Sequence, residues 1–288
     1  MNLIKKLASK PIIGPIIKRL IRFEANRQAV TIANHFSDFL TPVVAKNDEL
    51  RNKAYEIRHN VYCEELNFEP LKDDKLEVDD FDAHSFHCLI RHISTGRYAG
   101  TVRIVYSRAD SQLLPIEKYC LDSIDHETLN PKNFPRNSIC EISRLAVPQE
   151  FRRRQTDRHK GAATGVINEE TYSERELRCF PFIAVGLYMT AANIVANKDI
   201  KHCFVMMEPR LARSMKFVGI EFQQIGPVVD YHGKRAPYYI TPEMLFKTLS
   251  PGFMALYKNI QKQLSDKRQN NIDDGSGEFE PSAFVVSM

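Results

Sequence analysis

The 288-residue sequence predicts an α/β fold with a mixed central sheet flanked by helices. Strand-like apolar runs alternate with segments of helical periodicity from residue 39 onward. Residues 200–207 carry apolar side chains at both odd and even positions, as expected of a central strand. Residues 85–93 and 98–106 are β-rich and flank a short turn with Gly96, which predicts a hairpin. The sequence is 43% apolar and 26% charged, which is ordinary for a globular protein with a sizeable core.

The first half of the chain predicts a short strand at residues 43–44 and then a helix that begins near residues 47–48. Apolar residues recur in that helix at every third or fourth position and form one face: Leu50, Ala54, Ile57 and Val61. An acidic, loop-like segment at 73–82 precedes the hairpin. After the hairpin, a proline-containing loop leads to a strand at 140–147.

The second half predicts a helix whose apolar residues again share one face: Ala184, Leu187, Tyr188, Ala191 and Val195. The strand at 200–207 follows, and Pro209 suits the first turn of a short helix that Gly219 closes. Residues 222–229 and 238–240 are predicted to be extended. A last amphipathic helix has its apolar face at Phe253, Leu256, Tyr257, Ile260 and Leu264.

Three segments are predicted: a basic amphipathic arm at 1–38, an α/β domain at 39–265 and a mostly disordered polar tail at 266–288. The first 24 residues carry six positive charges and no acidic residue before Glu24. Their uncharged runs are far shorter than the ~20 residues of a membrane span, and lysines interrupt any secretory signal. Residues 1–24 are therefore predicted either to make peripheral membrane contact or to pack on the domain or a partner.

Composition also excludes several classes of function. The net charge of +4 is small and no basic stripe is interleaved with aromatic residues, so no nucleic-acid partner is expected. The six cysteines form no CxxC pair, which favours reduced, buried thiols in a cytoplasmic protein. Asp82, His84 and His87 fit no strong metal-ligand spacing, so no metal site is predicted.

The strand at 140–147 holds the first candidates for chemistry, Glu141 and Arg144. Burying a charge in such an apolar strand costs several kcal/mol unless the charge is paired or used. Residues three apart on a regular strand point to opposite faces, so these two share a site only if a bulge separates them. We predict that bulge. The alternative is that Glu141 alone faces the substrate and Arg144 pairs beneath the sheet with Asp79 or Asp82.

Four motifs in order resemble the acyl-homoserine-lactone (AHL, or autoinducer) synthases: Arg58-x-x-Val61-Tyr62, Asp79-x-Phe81-Asp82, Gly100-Thr101-Val102-Arg103 and Glu141-x-Ser143-Arg144. Two later stretches are more similar to the related N-acyl amino acid synthases and exosortase-associated acyltransferases: Met207-Glu208-Pro209 and Gly226-Pro227-Val228-Val229-Asp230-Tyr231-His232-Gly233. The resemblance covers about residues 40–245. It implies a GNAT (acyl-CoA N-acyltransferase-like) α/β fold and an enzyme that moves a fatty acyl group from acyl carrier protein (ACP) to an amine.

The chemistry of such a transfer fits these residues. A thioester is already activated, so an amine attacks it directly and no cofactor or metal is needed. The amine must first lose a proton, and Glu141 is the expected base. The acceptor is predicted to be an amino acid or similar small amine, since Phe68 stands near the position where autoinducer synthases have a tryptophan. The alternatives are an AHL synthase that uses S-adenosylmethionine and a non-catalytic module that binds ACP or membrane.

A second set of charged residues comes from separate segments: Arg58, Asp79, Asp82 and Arg103. The resemblance implies that they order the amphipathic loop over the site and bind a zwitterionic, amino-acid-like acceptor, to which arginine is suited by its bidentate fork. The alternative is a purely structural ion network. Tyr231, His232 and Arg235 form a third polar group, interpreted as an acceptor-side loop.

The donor side is predicted around Leu145, Val147 and the cluster Arg152-Arg153-Arg154. The gap beside the strand would admit the phosphopantetheine arm, and the arginines would dock acidic ACP and hold the phosphate. The alternative for the arginines is an exposed basic loop without a partner. No Arg-x-x-Gly-x-Gly/Ala loop follows the strand, so ACP is favoured as donor and acyl-CoA is the alternative.

Overall fold

A computed structural model describes residues 36–152 and 182–269. Its strands are β1 Leu40–Val44, β2 Ser85–His92, β3 Tyr98–Tyr106, β4 Ile139–Ala146, β5 His202–Met207, β6 Gln223–Gln224, β7 Val229–Asp230 and β8 Lys234–Ile240. They lie in the order β1-β2-β3-β4-β5-β8-β6, and β7 also pairs with β8. The pair β4–β5 is parallel and the others are antiparallel. The mixed α/β sheet predicted from the sequence is confirmed.

The helices are α1 Asp48–Arg58, α2 Pro115–Tyr119, α3 Gln149–Arg152, α4 Ile183–Asn197, α5 Pro209–Phe217, α6 Pro242–Thr248 and α7 Pro251–Gln269. The predicted helix start is confirmed, since the Asn47 side chain caps α1 by accepting a hydrogen bond from the N–H of Leu50. A π-helical segment, His59–Glu65, continues α1. This continuation keeps Val61 on the same buried face as Leu50, Ala54 and Ile57.

Apolar side chains cover both faces of the sheet. The larger core packs α4 and α7 against one face, with Val102, Ile142 and Leu187 among its buried residues. A smaller cluster lies on the other face beneath the loop that precedes β4, and it includes Phe204. β4 and β5 are covered on both sides and carry apolar residues at both parities, as expected of central strands.

Three helices were not predicted, α2, α3 and α6, and one extended segment is only partly confirmed. α2 and α6 each begin at a proline in the first turn, where proline fits because its missing N–H has no helical partner. At 222–229 only β6 and the start of β7 are strand, because Gly226 and Pro227 interrupt the pairing.

The predicted arm at 1–24 and most of the predicted tail lie outside the described residues. α7 continues to Gln269, four residues past the end predicted for the domain. No helix within 36–152 or 182–269 combines the length and apolarity that a bilayer-spanning segment requires.

Replacing Gly226 with alanine is expected to lower the free energy of unfolding by about 3 kcal/mol, because overpacking against backbone cannot relax by a rotamer change. A Cβ at this position would lie 1.8 Å from the carbonyl oxygen of Ser123. Chemical denaturation of the two proteins measures the difference.

Gly233→Ala is the matched control. Gly233 has φ +91° but no atom within 4 Å of an added Cβ, so its substitution carries only the left-handed backbone cost of about 1 kcal/mol. Equal losses in the two variants would show that the contact between residues 226 and 123 relaxes freely.

Candidate active site

The site lies where two central strands separate. Parallel pairing between β4 and β5 ends at Glu141 and Phe204, although β4 continues to Ala146 and β5 to Met207. A cavity of about 50 Å³ opens at this splay. Its lining residues are Tyr62, Phe68, Glu69, Arg103, Pro115, Glu141, Ser143, Arg144, Met206, Tyr231, His232 and Arg235. A space of this size holds about three water molecules or one small polar group.

Glu141 is the buried carboxyl of this cavity. Only 3% of the residue is exposed, and its Oε2 accepts a hydrogen bond of 2.6 Å from the backbone N–H of Ile116 in α2. Burial raises the pKa of Glu141 to about 8, outweighing the opposing effects of that hydrogen bond and of Arg103 and Arg144. Glu141 therefore exchanges a proton near the pH at which an α-amino group does, about 8.

The predicted bulge is present, and it is formed by Arg144 itself. β4 pairs with β3 through Ser143 opposite Arg103 and Ala146 opposite Thr101, so β4 contains one extra residue between these pairs. Arg144 takes φ +51°, a conformation uncommon outside glycine. Both Glu141 and Arg144 line the cavity as a result.

Arg144 also pairs with acidic residues, as in the alternative interpretation. Its Nη2 donates to Glu69, Glu77 and Asp79 at 3.3, 3.1 and 3.2 Å. The two interpretations are compatible in the structure, because the bulge turns Arg144 toward the acidic loop on the same side as the cavity. Arg144 is thereby held in place by three carboxylates.

Arg58, Arg103, Asp79 and Asp82 form one ion network below the cavity. Arg58 is fully buried and grips Asp82 bidentately, with Nη1–Oδ1 at 2.7 Å and Nη2–Oδ2 at 3.0 Å. Nη1 of Arg103 donates to Asp79 at 2.5 Å and to Asp82 at 2.9 Å, and its Nε donates to Ser143. Of the four predicted residues, only Arg103 lines the cavity. Arg58, Asp79 and Asp82 are therefore arranged as expected for the alternative interpretation, a purely structural ion network.

Glu77 completes this network, and sequence reasoning missed it. The residue is 3% exposed and bonds both Arg58 and Arg144. Burial alone would raise the pKa of Glu77, but the two guanidinium groups hold it below its ordinary value. Its position in an acidic segment, among solvated neighbours, gave no signal that this carboxylate is buried. Glu77 links the helix that carries Arg58 to the bulge in β4.

The donor-side candidates lie at the end of β4. The side chains of Leu145 and Val147 pack against the larger core, and the carbonyl of Leu145 accepts a 2.8 Å hydrogen bond from the hydroxyl of Tyr62. Arg152 pairs with Glu65. Arg153 and Arg154 lie outside the described residues.

An apolar cavity of about 40 Å³ lies on the opposite face of β4, between α4 and α6. Its lining includes Ile142, Met189, Cys203, Ile220 and Leu245. Glu141 and Ile142 are adjacent in β4 and point to opposite faces. One strand thus separates the polar cavity from the apolar one.

The described cysteines are all shielded from solvent. Cys63, Cys88, Cys120, Cys140 and Cys203 are buried and free. Burial raises the pKa of the Cys120 thiol to about 11, with a further contribution from Glu141. Acyl transfer through Cys120, which lies close to the site, is therefore disfavoured, since the thiolate is the nucleophilic form.

Comparisons with known proteins agree with this geometry. Residues 57–160 match a family model described as an acetyltransferase (GNAT) domain. The chain is similar to the structure of TofI in a ternary complex with an inhibitor and MTA, with 15% identity and a TM-score of 0.51, covering 74% of this chain and 99% of that chain. No curated protein sequence matches the chain.

Two further solved structures are similar at lower scores. The AHL synthase LasI has 17% identity and a TM-score of 0.49, with 73% of this chain and 96% of that chain covered. FeeM, an N-acyl amino acid synthase from uncultured soil microbes, has 11% identity and a TM-score of 0.47, with 73% and 94% covered.

The sheet with its splayed parallel pair and the matching domain model define the class: the chain has a GNAT fold. The fold that the sequence motifs implied is thereby confirmed.

Proposed function

We propose that the chain is an N-acyltransferase. It moves a fatty acyl group from ACP to the amino group of an amino acid or similar small amine and yields an N-acyl amino acid-type signal lipid. The observation that carries this proposal is Glu141, a buried carboxyl that faces a polar cavity at the β4–β5 splay of a GNAT fold. A base matched to an amine in pKa, beside a gap between strands, suits aminolysis of a thioester.

The reaction follows from the placement of this base. Glu141 takes a proton from the acceptor's ammonium group, and the neutral nitrogen attacks the thioester carbonyl carbon. The new C–N bond forms, the C–S bond breaks and the pantetheine thiolate leaves, to be protonated in turn. The charge that develops on the carbonyl oxygen requires hydrogen-bond donors, and backbone N–H groups at the splayed strands are suited to this role.

Features on both faces of β4 support the proposal that the donor is a fatty acyl group carried by ACP. The apolar lining of the cavity behind Ile142 suits the methylene groups of an acyl chain better than a polar group. The phosphopantetheine arm would lie beside residues 145–147 as a pseudo-strand. Arg152, with Arg153 and Arg154, would meet the acidic surface of ACP.

The test is acyl transfer by the purified full-length protein from acyl-ACP into a mixture of the common α-amino acids and S-adenosylmethionine, with products read by mass spectrometry. An N-acyl amino acid supports the proposal, and an acyl-homoserine lactone would replace it with the synthase alternative. Binding of acyl-ACP without any acyl product would identify a non-catalytic module. A parallel reaction with acyl-CoA decides the donor.

The rate of acyl transfer is expected to rise with pH and to level off above about 8. Below that pH Glu141 carries a proton and cannot accept another, so kcat/KM falls about tenfold per pH unit from this group alone. Protonation of the acceptor amine does not make the fall steeper, because the ammonium group is the form from which Glu141 takes its proton. A pH–rate profile between 5.5 and 9.5 measures it, and a rate independent of pH below 7 would contradict the assignment of Glu141.

A further inference from the structure

Three arginines line the polar cavity, and two of them are neutralised by the protein. Arg103 bonds Asp79 and Asp82, and Arg144 bonds a set of three carboxylates. Each of these two guanidinium groups already has its anions. The third, Arg235 on β8, is different.

Arg235 has no ion-pair partner among the residues that the structure describes. Its Nε is buried and makes no hydrogen bond there, and the guanidinium lies over the ring of Phe68 with Cζ 5.9 Å from the ring centroid. The Phe68 ring carries no negative charge that could pair with the guanidinium. The residue is partly buried, and a guanidinium with a buried, unbonded Nε and no anion paired with it among the described residues favours an anionic ligand.

We propose that Arg235 binds the carboxylate of the acceptor while Glu141 takes the proton from its amino group. The acceptor class is then an α-amino acid with a free carboxylate, and Arg235 is the residue that selects it. This inference rests on the proposed acyltransferase function. The family resemblance assigned the binding of a zwitterion to Arg58 and Arg103. This role is assigned to Arg235 instead, because those two side chains are held in the ion network.

The electrostatics of the cavity favour a zwitterion over a phosphate. Glu69 and Glu141 share the lining with Arg235. The Glu69 carboxylate would repel a doubly charged phosphate, whereas a zwitterion places its amino group beside the two carboxyl groups and its carboxylate on the arginine. The bidentate fork of arginine matches a carboxylate.

The experiment compares matched acceptors. Wild type, Arg235→Gln and Arg235→Lys each receive an acyl thioester donor with either the common α-amino acids or the same compounds as α-amides. Wild type is expected to prefer the acids. Arg235→Gln should raise KM for the acid about 10- to 100-fold, the range for a hydrogen bond to a charged group, and leave KM for the amide unchanged. Arg235→Lys should retain part of the preference.

For each protein, the quantity compared is the ratio of KM for the acid to KM for the amide. The acid and the amide differ in amine basicity, and this difference cancels when the ratio of a variant is compared with that of wild type. An equal loss with both acceptors would assign Arg235 a structural role and overturn the inference. So would a wild-type enzyme without preference for the acid, a result that needs no variant to fold. Absence of acyl product from wild type with every amine would instead remove the proposed function itself.

Discussion

Replacing Glu141 with glutamine is expected to lower kcat/KM for acyl transfer about 10²- to 10⁴-fold, the usual contribution of a general base. Glutamine keeps the shape of the side chain and can still accept the hydrogen bond from Ile116, but it cannot take a proton. The pH dependence that remains should be that of the acceptor amine alone. Steady-state kinetics across pH, with acyl thioester and a saturating acceptor, measure both effects.

The same substitution is expected to stabilise the fold at neutral pH. Because the pKa of Glu141 is raised from 4.5 to about 8, the unfolded chain releases this proton at lower pH than the folded protein does. The free energy of unfolding therefore falls as pH rises from about 4.5 to 8, by about 1.4 kcal/mol per unit. At pH 7 Glu141→Gln should be more stable than wild type by about 3 kcal/mol, and at pH 4 the two proteins should be equally stable.

A loss of activity together with a gain in stability in Glu141→Gln would distinguish a functional carboxyl group from a structural one. Glu56→Gln is the matched control, because Glu56 is exposed and pairs only with Lys53, so both quantities should stay unchanged. Retention of full activity in Glu141→Gln would remove the base assignment. Loss of stability at pH 7 would show that Glu141 is not held under a desolvation penalty.

Replacing Glu77 with alanine is expected to lower the free energy of unfolding by about 3–5 kcal/mol. Its carboxylate lies between two guanidinium groups, and removing one partner of a buried ion pair leaves the other charge uncompensated. Because the pKa of Glu77 is below its ordinary value, its contribution is present above about pH 4.5 and is lost as pH falls below that value.

Chemical denaturation at pH 7 measures this effect, with Glu56→Ala as the control for loss of an exposed glutamate. The control should change by less than about 0.5 kcal/mol. A loss of similar size in both variants would show that the network adds nothing to stability. Acyl transfer should also fall in Glu77→Ala, because Arg144 loses one of its anchors.

The sequence predicted most of the regular structure because periodicity reports burial directly. The face formed by Leu50, Ala54, Ile57 and Val61 is one buried cluster, and the hairpin of β2 and β3 has the predicted bounds to within one residue. The apolar composition of the β4 sequence also predicted that β4 is a central strand. These features depend only on the local sequence pattern, because side chains repeat with a period of about 3.6 residues in a helix and about 2 in a strand.

The partners within the site depend on tertiary placement and were harder to predict. Glu77 sits in a segment whose other charges are mostly solvated, and only its neighbours in space make it a buried bridge. The hydrogen bond to Glu141 comes from a backbone N–H in α2, and a backbone donor carries no sequence signal beyond Pro115. Arg235 was assigned to an acceptor-side loop, but its lack of an acidic partner appears only when three arginines converge on one cavity.

The position of β4 between two cavities has a consequence for how specificity evolves. In the proposed function, acceptor recognition and chain-length recognition would belong to opposite surfaces of a single strand. A side-chain change such as one at Met189 reshapes the hydrocarbon side without touching the charged side. Proteins with this arrangement could therefore change one substrate preference during evolution while keeping the other.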